Sequence, residues 1–188
     1  MQLIEDQSFE NIDFSVKSFD KAEYENCMFE HCNFSENDIS SCKFIDCVFR
    51  YCNLSMANIS QSIFRDVRFA HCKILGLRFD TCNPLGLSLS FEGCQLSHAS
   101  FYQINLKKSS FKNTILQEVD FVESDLSGVV LDNCDLANAV FEHSLLEKTD
   151  FRTAYNYTID PEKNRLKKAQ FSLSGISGLL AKYDIDIS

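Results

Sequence analysis

Large apolar residues recur at every fifth position of this chain, a spacing that matches neither the 3.6 of a helix nor the 2.0 of a strand. The register begins at Ile4 or Phe9 and runs through Phe14, Phe19, Tyr24, Phe29, Phe34, Ile39, Phe44, Phe49, Leu54 and Ile59 to Phe79 without a miss. It then breaks and resumes two residues out of phase, from Phe91, Leu96 and Phe101 to Leu146 and Phe151. All 17 phenylalanines hold this central position, including the late Phe171. The residue two places before most centres is small, and all 9 cysteines fall there: Cys27, Cys32, Cys42, Cys47, Cys52, Cys72, Cys82, Cys94 and Cys134. No centre from Phe9 to Phe79 or from Phe91 to Phe151 is charged. Such a fixed short period marks a repeat architecture.

Residues two apart on an extended segment point the same way, so the small position and the centre both turn inward while the residue between them points out. A narrow tube accepts one large and one small residue per side, which accounts for Cys, Ala, Ser, Thr and Val beside Phe or Leu. Burying each centre contributes about 1.5–3 kcal/mol. Coils stacked at about 4.8 Å, the separation of paired strands, predict a rod roughly 35 Å long.

The units Cys52-Asn53-Leu54-Ser55, Ser124-Asp125-Leu126-Ser127-Gly128 and Cys134-Asp135-Leu136-Ala137-Asn138 resemble the repeat of the pentapeptide-repeat proteins. The resemblance spans residues 4–158 and returns at 169–171. It implies an all-β fold: a right-handed quadrilateral parallel β-helix in which four pentapeptides make one square coil, with about 7–8 coils in all. On this reading residues 1–158 form the β-helix, with an irregular break at 82–88, and residues 159–188 form a C-terminal segment with a loop, the last repeats and a short helix.

Composition changes the picture in few places. The 188 residues suit one soluble unit, and no apolar run approaches a membrane span. The opening Met1-Gln2-Leu3-Ile4-Glu5-Asp6 lacks the basic and apolar regions of a signal peptide, so a cytoplasmic location is expected. The cysteine count is odd, its spacing is that of the core and no CxxC occurs, so the thiols read as small buried hydrophobes rather than disulfides or metal ligands. Cys32, Cys52 and Cys72 are expected to stack as a ladder of free thiols. His31, His71, His98 and His143 all lie outward at the end of their repeats, with no nucleophile arranged beside them. No glycine-rich phosphate loop appears among 6 glycines, and no cofactor, metal or enzymatic activity is expected.

Irregular positions fall at the ends and the break. Gln7 and Lys17 occupy small positions in the first coil, where a charge should not be buried, so that coil is expected to be loose or to let Lys17 escape. Asn37 turns inward and needs a hydrogen-bond partner. Pro84 stands where a centre should be and cannot donate to a ladder, predicting a small bulge or loop at one corner. After Phe151 the pattern fails at Asn156, and Asp160-Pro161-Glu162 suits the start of a helix. The basic stretch 163–168 reads as a turn or short helix. Ile176, Leu179, Leu180 and Tyr183 recur with helical spacing, predicting an amphipathic helix that caps the open end or docks on a second copy.

Outward positions alone are free to carry function. Between Asn113 and Glu147 stand Glu118, Asp120, Glu123, Asp125, Asp132, Asp135, Glu142 and Glu147, with no Lys or Arg. The net charge of -9 points away from direct nucleic-acid binding. Duplex DNA carries one charge per about 1.7 Å of axis, so an acidic rod could offer similar charge to a basic DNA-binding groove. Resemblance to the quinolone-resistance and toxin-immunity members of the family implies a partner such as DNA gyrase or topoisomerase IV, and a homodimer joined through the C-terminal helix. The chain lacks the long loops between coils found in the quinolone-resistance members. The alternative is a general interaction or scaffolding module.

Overall fold

In a computed structural model, which describes residues 1–186, the five-residue period closes into a parallel β-solenoid. Strands Gln2–Glu5, Ala22–Glu25, Lys43–Ile45 and Ile63–Arg65 stack as a 4-stranded sheet that forms the first face. Ser8–Glu10, Met28–Glu30, Val48–Arg50, Val67–Ala70, Leu89–Glu92, Ser110–Lys112 and Leu131–Asp132 stack as a 7-stranded sheet on the second. Isolated parallel bridges, such as Asn33↔Asn53 and Asp38↔Asn58, carry the third and fourth faces. Phe9 pairs in register with Phe29, Phe29 with Phe49 and Phe49 with Phe69, so one coil consumes four pentapeptides.

The corner explains why the period is five. The last residue of most repeats takes a left-handed backbone: His31 at φ 52, Tyr51 at φ 53, Met56 at φ 57 and Gln61 at φ 62. A positive φ turns the chain sharply, and for residues other than glycine it is costly. The ladder offsets that cost, because each corner N–H also donates to the next coil, as from His31 to the Arg50 carbonyl at 3.0 Å.

Inside, the centres stack into columns. On the second face the rings of Phe29 and Phe49 lie 4.7 Å apart at 11°, Phe49 and Phe69 5.1 Å apart at 17°, and Phe69 and Phe91 5.2 Å apart at 11°. Rings on neighbouring faces meet edge to face, as Phe44 meets Phe49 at 5.4 Å. Both geometries are the favoured ones for aromatic pairs. The small positions fill the rest. All nine cysteines are buried free thiols, and all but Cys82 direct the sulfur at a carbonyl: Cys47 Sγ donates to Tyr24 O and Cys52 Sγ to Phe29 O, both at 3.3 Å. The expected ladder of Cys32, Cys52 and Cys72 is present and extends to Cys94, with the Cys52 and Cys72 N–H groups each directed at the sulfur one coil on.

Burial pushes the Cys47, Cys82 and Cys134 thiols up to about 12. These groups stay protonated in the folded chain at a pH where the unfolded chain has lost the proton, so the unfolded state binds fewer protons and stability falls as pH rises. Stability is therefore expected to be unaffected by these thiols below pH 9.0 and to decline from there toward about 12. Urea titrations across that window check it: Cys47→Ala, Cys82→Ala and Cys134→Ala together should flatten the decline.

The break is a bulge at the corner between the first and second faces. Asn83 bridges Ile63, whereas Leu89 pairs with Val67, so residues 84–88 replace the three residues 64–66. Pro84 and Leu85 turn outward, and Leu87 takes the buried place instead. Leu85 N–H donates to the Asn83 side chain at 3.0 Å, and Ser88 Oγ to Asp66 at 2.9 Å. At the N-terminal end Gln7 and Lys17 are exposed while Phe9, Ile12 and Phe19 are only half-buried, so Lys17 does escape. Asn37 donates through Nδ2 to the Phe14 carbonyl.

At the other end, the proline after Asp160 opens a turn rather than a helix. A helix there would break the ladder, which continues through the bridges Leu145↔Arg165 and Asp150↔Gln170 and the stacking of Phe171 on Phe151 at 5.1 Å. The terminal helix is one short turn, Ser177–Leu180, followed by the 3-10 turn Ala181–Tyr183. The expected apolar stripe divides: Leu179 packs on the core and Leu180 is half-buried, while Ile176 and Tyr183 face outward. The helix is too short to hold four residues on one face, and its backbone lies directly on the last coil. A Cβ added at Gly178 would meet the Tyr157 carbonyl at 2.2 Å, which is why glycine is required there.

Candidate partner-binding surface

Each acidic residue singled out in the sequence is set by its place in a repeat. Glu118 and Asp135 belong to the third face, Asp120, Glu123 and Glu142 to the fourth, Asp125 and Glu147 to the first, and Asp132 to the second. Asp120, Asp125 and Asp135 stand between the small position and the centre, and their carboxylates reach forward to clasp the corner. Asp120 accepts from Val122 N–H at 2.9 Å, Asp125 from Ser127 N–H at 3.0 Å and Asp135 from Ala137 N–H at 3.2 Å. This is the Asx-turn contact. These three acids therefore hold the solenoid's shape as well as colouring its surface.

Partners from adjacent coils take up more of the charge. Asp125 lies 2.6 Å from Lys107, and Glu142 lies 2.8 Å from Lys163. Burial opposes ionisation at Asp125, but hydrogen bonds from Lys107 and Ser127 outweigh it and hold the carboxyl below its usual range. The Lys163 hydrogen bond holds the Glu142 carboxyl low in the same way. Asp135 also accepts from Gln117 and Asn156, Asp132 from Thr153 and Glu123 from Gln103, while Glu118 stands 3.3 Å from His98. Glu118 and Glu123 remain exposed, and the other six are half-buried. The absence of Lys and Arg between 113 and 147 thus does not leave a bare acidic field, because cations one coil away in space lie 18 to 21 residues away in sequence.

Sequence reasoning missed the tyrosine between the two aligned histidines. The rings of His31, Tyr51 and His71 stack at 5.0 and 5.2 Å along one corner. The spacing of twenty residues between them was the signal available. Among the described residues no group of His, Cys, Asp or Glu is arranged to hold a metal ion, and no helix is long and apolar enough to cross a membrane.

The family description "Pentapeptide repeat region" matches residues 3–79 and 88–155, leaving out the bulge. Among solved structures, a trypsin-treated variant of QnrB1, a plasmid-mediated fluoroquinolone resistance protein, is 19% identical, with 99% of each chain covered and a TM-score of 0.59. HetL, a pentapeptide repeat protein involved in heterocyst differentiation regulation from the cyanobacterium Nostoc, is 15% identical over 93% of this chain and 88% of its own, with a TM-score of 0.58. At these identities the likeness is one of fold. No curated protein matches the chain. The residues matched by the family description are those that keep the five-residue register on either side of the bulge, and the chain belongs to the pentapeptide-repeat family.

Proposed function

We propose that this chain is a non-enzymatic, cytoplasmic interaction protein whose acidic faces occupy the DNA-binding groove of a type II topoisomerase, DNA gyrase or topoisomerase IV. The observation that carries the reading is a rod of acidic net charge, -9, that follows a fluoroquinolone resistance protein over nearly its whole length. A second copy joined at the C-terminal end belongs to the same reading, with the outward Ile176 and Tyr183 as its contacts. The scaffold reading is favoured by one observation, the pairing of Asp125 and Glu142 with lysines of this same chain.

Electrostatic capture by a basic groove weakens steeply with salt. The charges to reverse are Glu118, Glu123 and Glu147, since none of them clasps a corner. Gyrase supercoiling, with and without a quinolone, is measured against rising amounts of protein. Wild type should inhibit or protect, and Glu118→Lys, Glu123→Lys, Glu147→Lys should lose the effect with the circular dichroism unchanged. A wild type that neither inhibits nor protects, and binds neither enzyme at low salt, leaves the scaffold reading in place.

A further inference from the structure

The corner between the first and second faces is charged in opposite senses at its two ends. Toward the N-terminus it presents Glu5, Asp6, Glu25 and Asp46, and toward the C-terminus Lys108, Lys148, Lys167 and Lys168. None of these eight takes part in an ion pair among the described residues, and all but the half-buried Glu25 are exposed. The bulge lies on the same corner, midway between them, and its Leu85 is 64% exposed. Gly86 packs beside Arg65, and Ser88 joins Asp66 above to the Lys108 carbonyl below, which fixes the bulge to this line.

We infer that this ridge binds a second copy of the chain side by side and antiparallel, about a two-fold axis through Leu85. Such an axis places each coil opposite the one equally far beyond the bulge. Glu5 and Asp6 then face Lys167 and Lys168, Glu25 faces Lys148, and Asp66 faces Lys108. Between them Val48 meets the exposed Val130, where Gly128 has nothing within 4 Å of its Cα substituent position and leaves room for the partner. The axis brings the two copies of Leu85 together, covering an apolar side chain that the monomer leaves in water. Arg65 and Arg68 dilute the acid in the coil next to the bulge, and Glu147 dilutes the base beside Lys148, so the attraction is concentrated where Glu5 and Asp6 face Lys167 and Lys168.

An isologous contact of this kind is self-complementary by construction. A strip about 40 Å long, counted from coils at about 4.8 Å, and about 15 Å wide buries roughly 600 Å² per partner, below the standard size of a stable interface. The association is accordingly weak and salt-sensitive. It uses a different surface from the C-terminal end, and both contacts together would extend as an open chain rather than a closed pair.

Sedimentation of the full chain at about 0.02 M and about 0.5 M salt, either side of a Debye length of about 10 Å at 0.1 M, tests the inference. Wild type, and an Ile176→Asp, Tyr183→Asp variant that removes the end contact, should both gain mass at low salt. One variant, Lys148→Glu, Lys167→Glu, Lys168→Glu, and a second, Glu5→Lys, Asp6→Lys, Glu25→Lys, should each stay monomeric alone. Mixed in equal amounts, the two variants should pair, because in each the two ends of the ridge now carry the same sign, acidic in the first and basic in the second. Carbodiimide should join Glu5 or Asp6 of one copy to Lys167 or Lys168 of the other. Folded variants that fail to pair on mixing, a low-salt mass that only the Ile176→Asp, Tyr183→Asp change abolishes, or crosslinks from Glu5 to Lys108 instead would overturn the proposal.

Discussion

Phe101→Ala is expected to destabilise the chain by about 3–5 kcal/mol, the cost of emptying a fully buried aromatic site. Phe101 is 0% exposed, and its ring stacks 4.7 Å from Phe79 and 5.5 Å from Phe121, both at 6°. Its edges meet Phe91 at 6.2 Å and Phe111 at 5.9 Å. Four aromatic contacts are lost at once, and neighbouring coils are tied to one another by hydrogen bonds that prevent collapse around the void. In a solenoid each coil is held by its two neighbours, so damage in the middle removes two interfaces. Phe9→Ala, in a half-buried first coil with only one neighbouring coil, should lose less than half as much. Urea denaturation of both variants measures the difference, and equal losses would mean that the column is not the source of stability.

Cys47→Phe is expected to lose about 1–3 kcal/mol or more through overpacking. Cys47 is 0% exposed, its sulfur touches the Tyr24 carbonyl, and the Phe49 ring already fills the same side of the tube. A second ring would have to occupy the space where the sulfur already lies 3.3 Å from the Tyr24 carbonyl of the coil before it. Cys47→Ala should lose much less, because only a weak sulfur contact and a small volume disappear. Thermal unfolding of the pair should separate them clearly. If the phenylalanine variant melts with wild type, the small position is not size-limited.

Much of the fold was legible because a narrow tube leaves little choice. One large and one small side chain per face is a packing rule, and it appears directly as the period of Phe29, Phe49 and Phe69 with Cys27, Cys47 and Val67 two before them. The bulge was legible for the same reason, since Pro84 broke the rule and the two extra residues had to leave the ladder. The left-handed corners were not, because Tyr51, Met56 and Gln61 give no local sign of a positive φ. Those residues adopt it because the ladder between coils rewards the turn.

The candidate surface was legible only as a list of outward acids. Sequence by itself determined the repeat, the inward and outward positions, the buried thiols and the place of the break, all consequences of short-range periodicity. Tertiary structure decided which charges meet. Stacking brings residues one coil apart into contact, so Lys107 reaches Asp125, 18 residues on, and Lys163 reaches Glu142, 21 residues back. It also decided the C-terminal end, where the closeness of Gly178 to Tyr157 draws Leu179 inward and divides a stripe that looked continuous along the chain. Charge pairing and end-capping depend on what lies one coil away, and that distance is short in space but long in sequence.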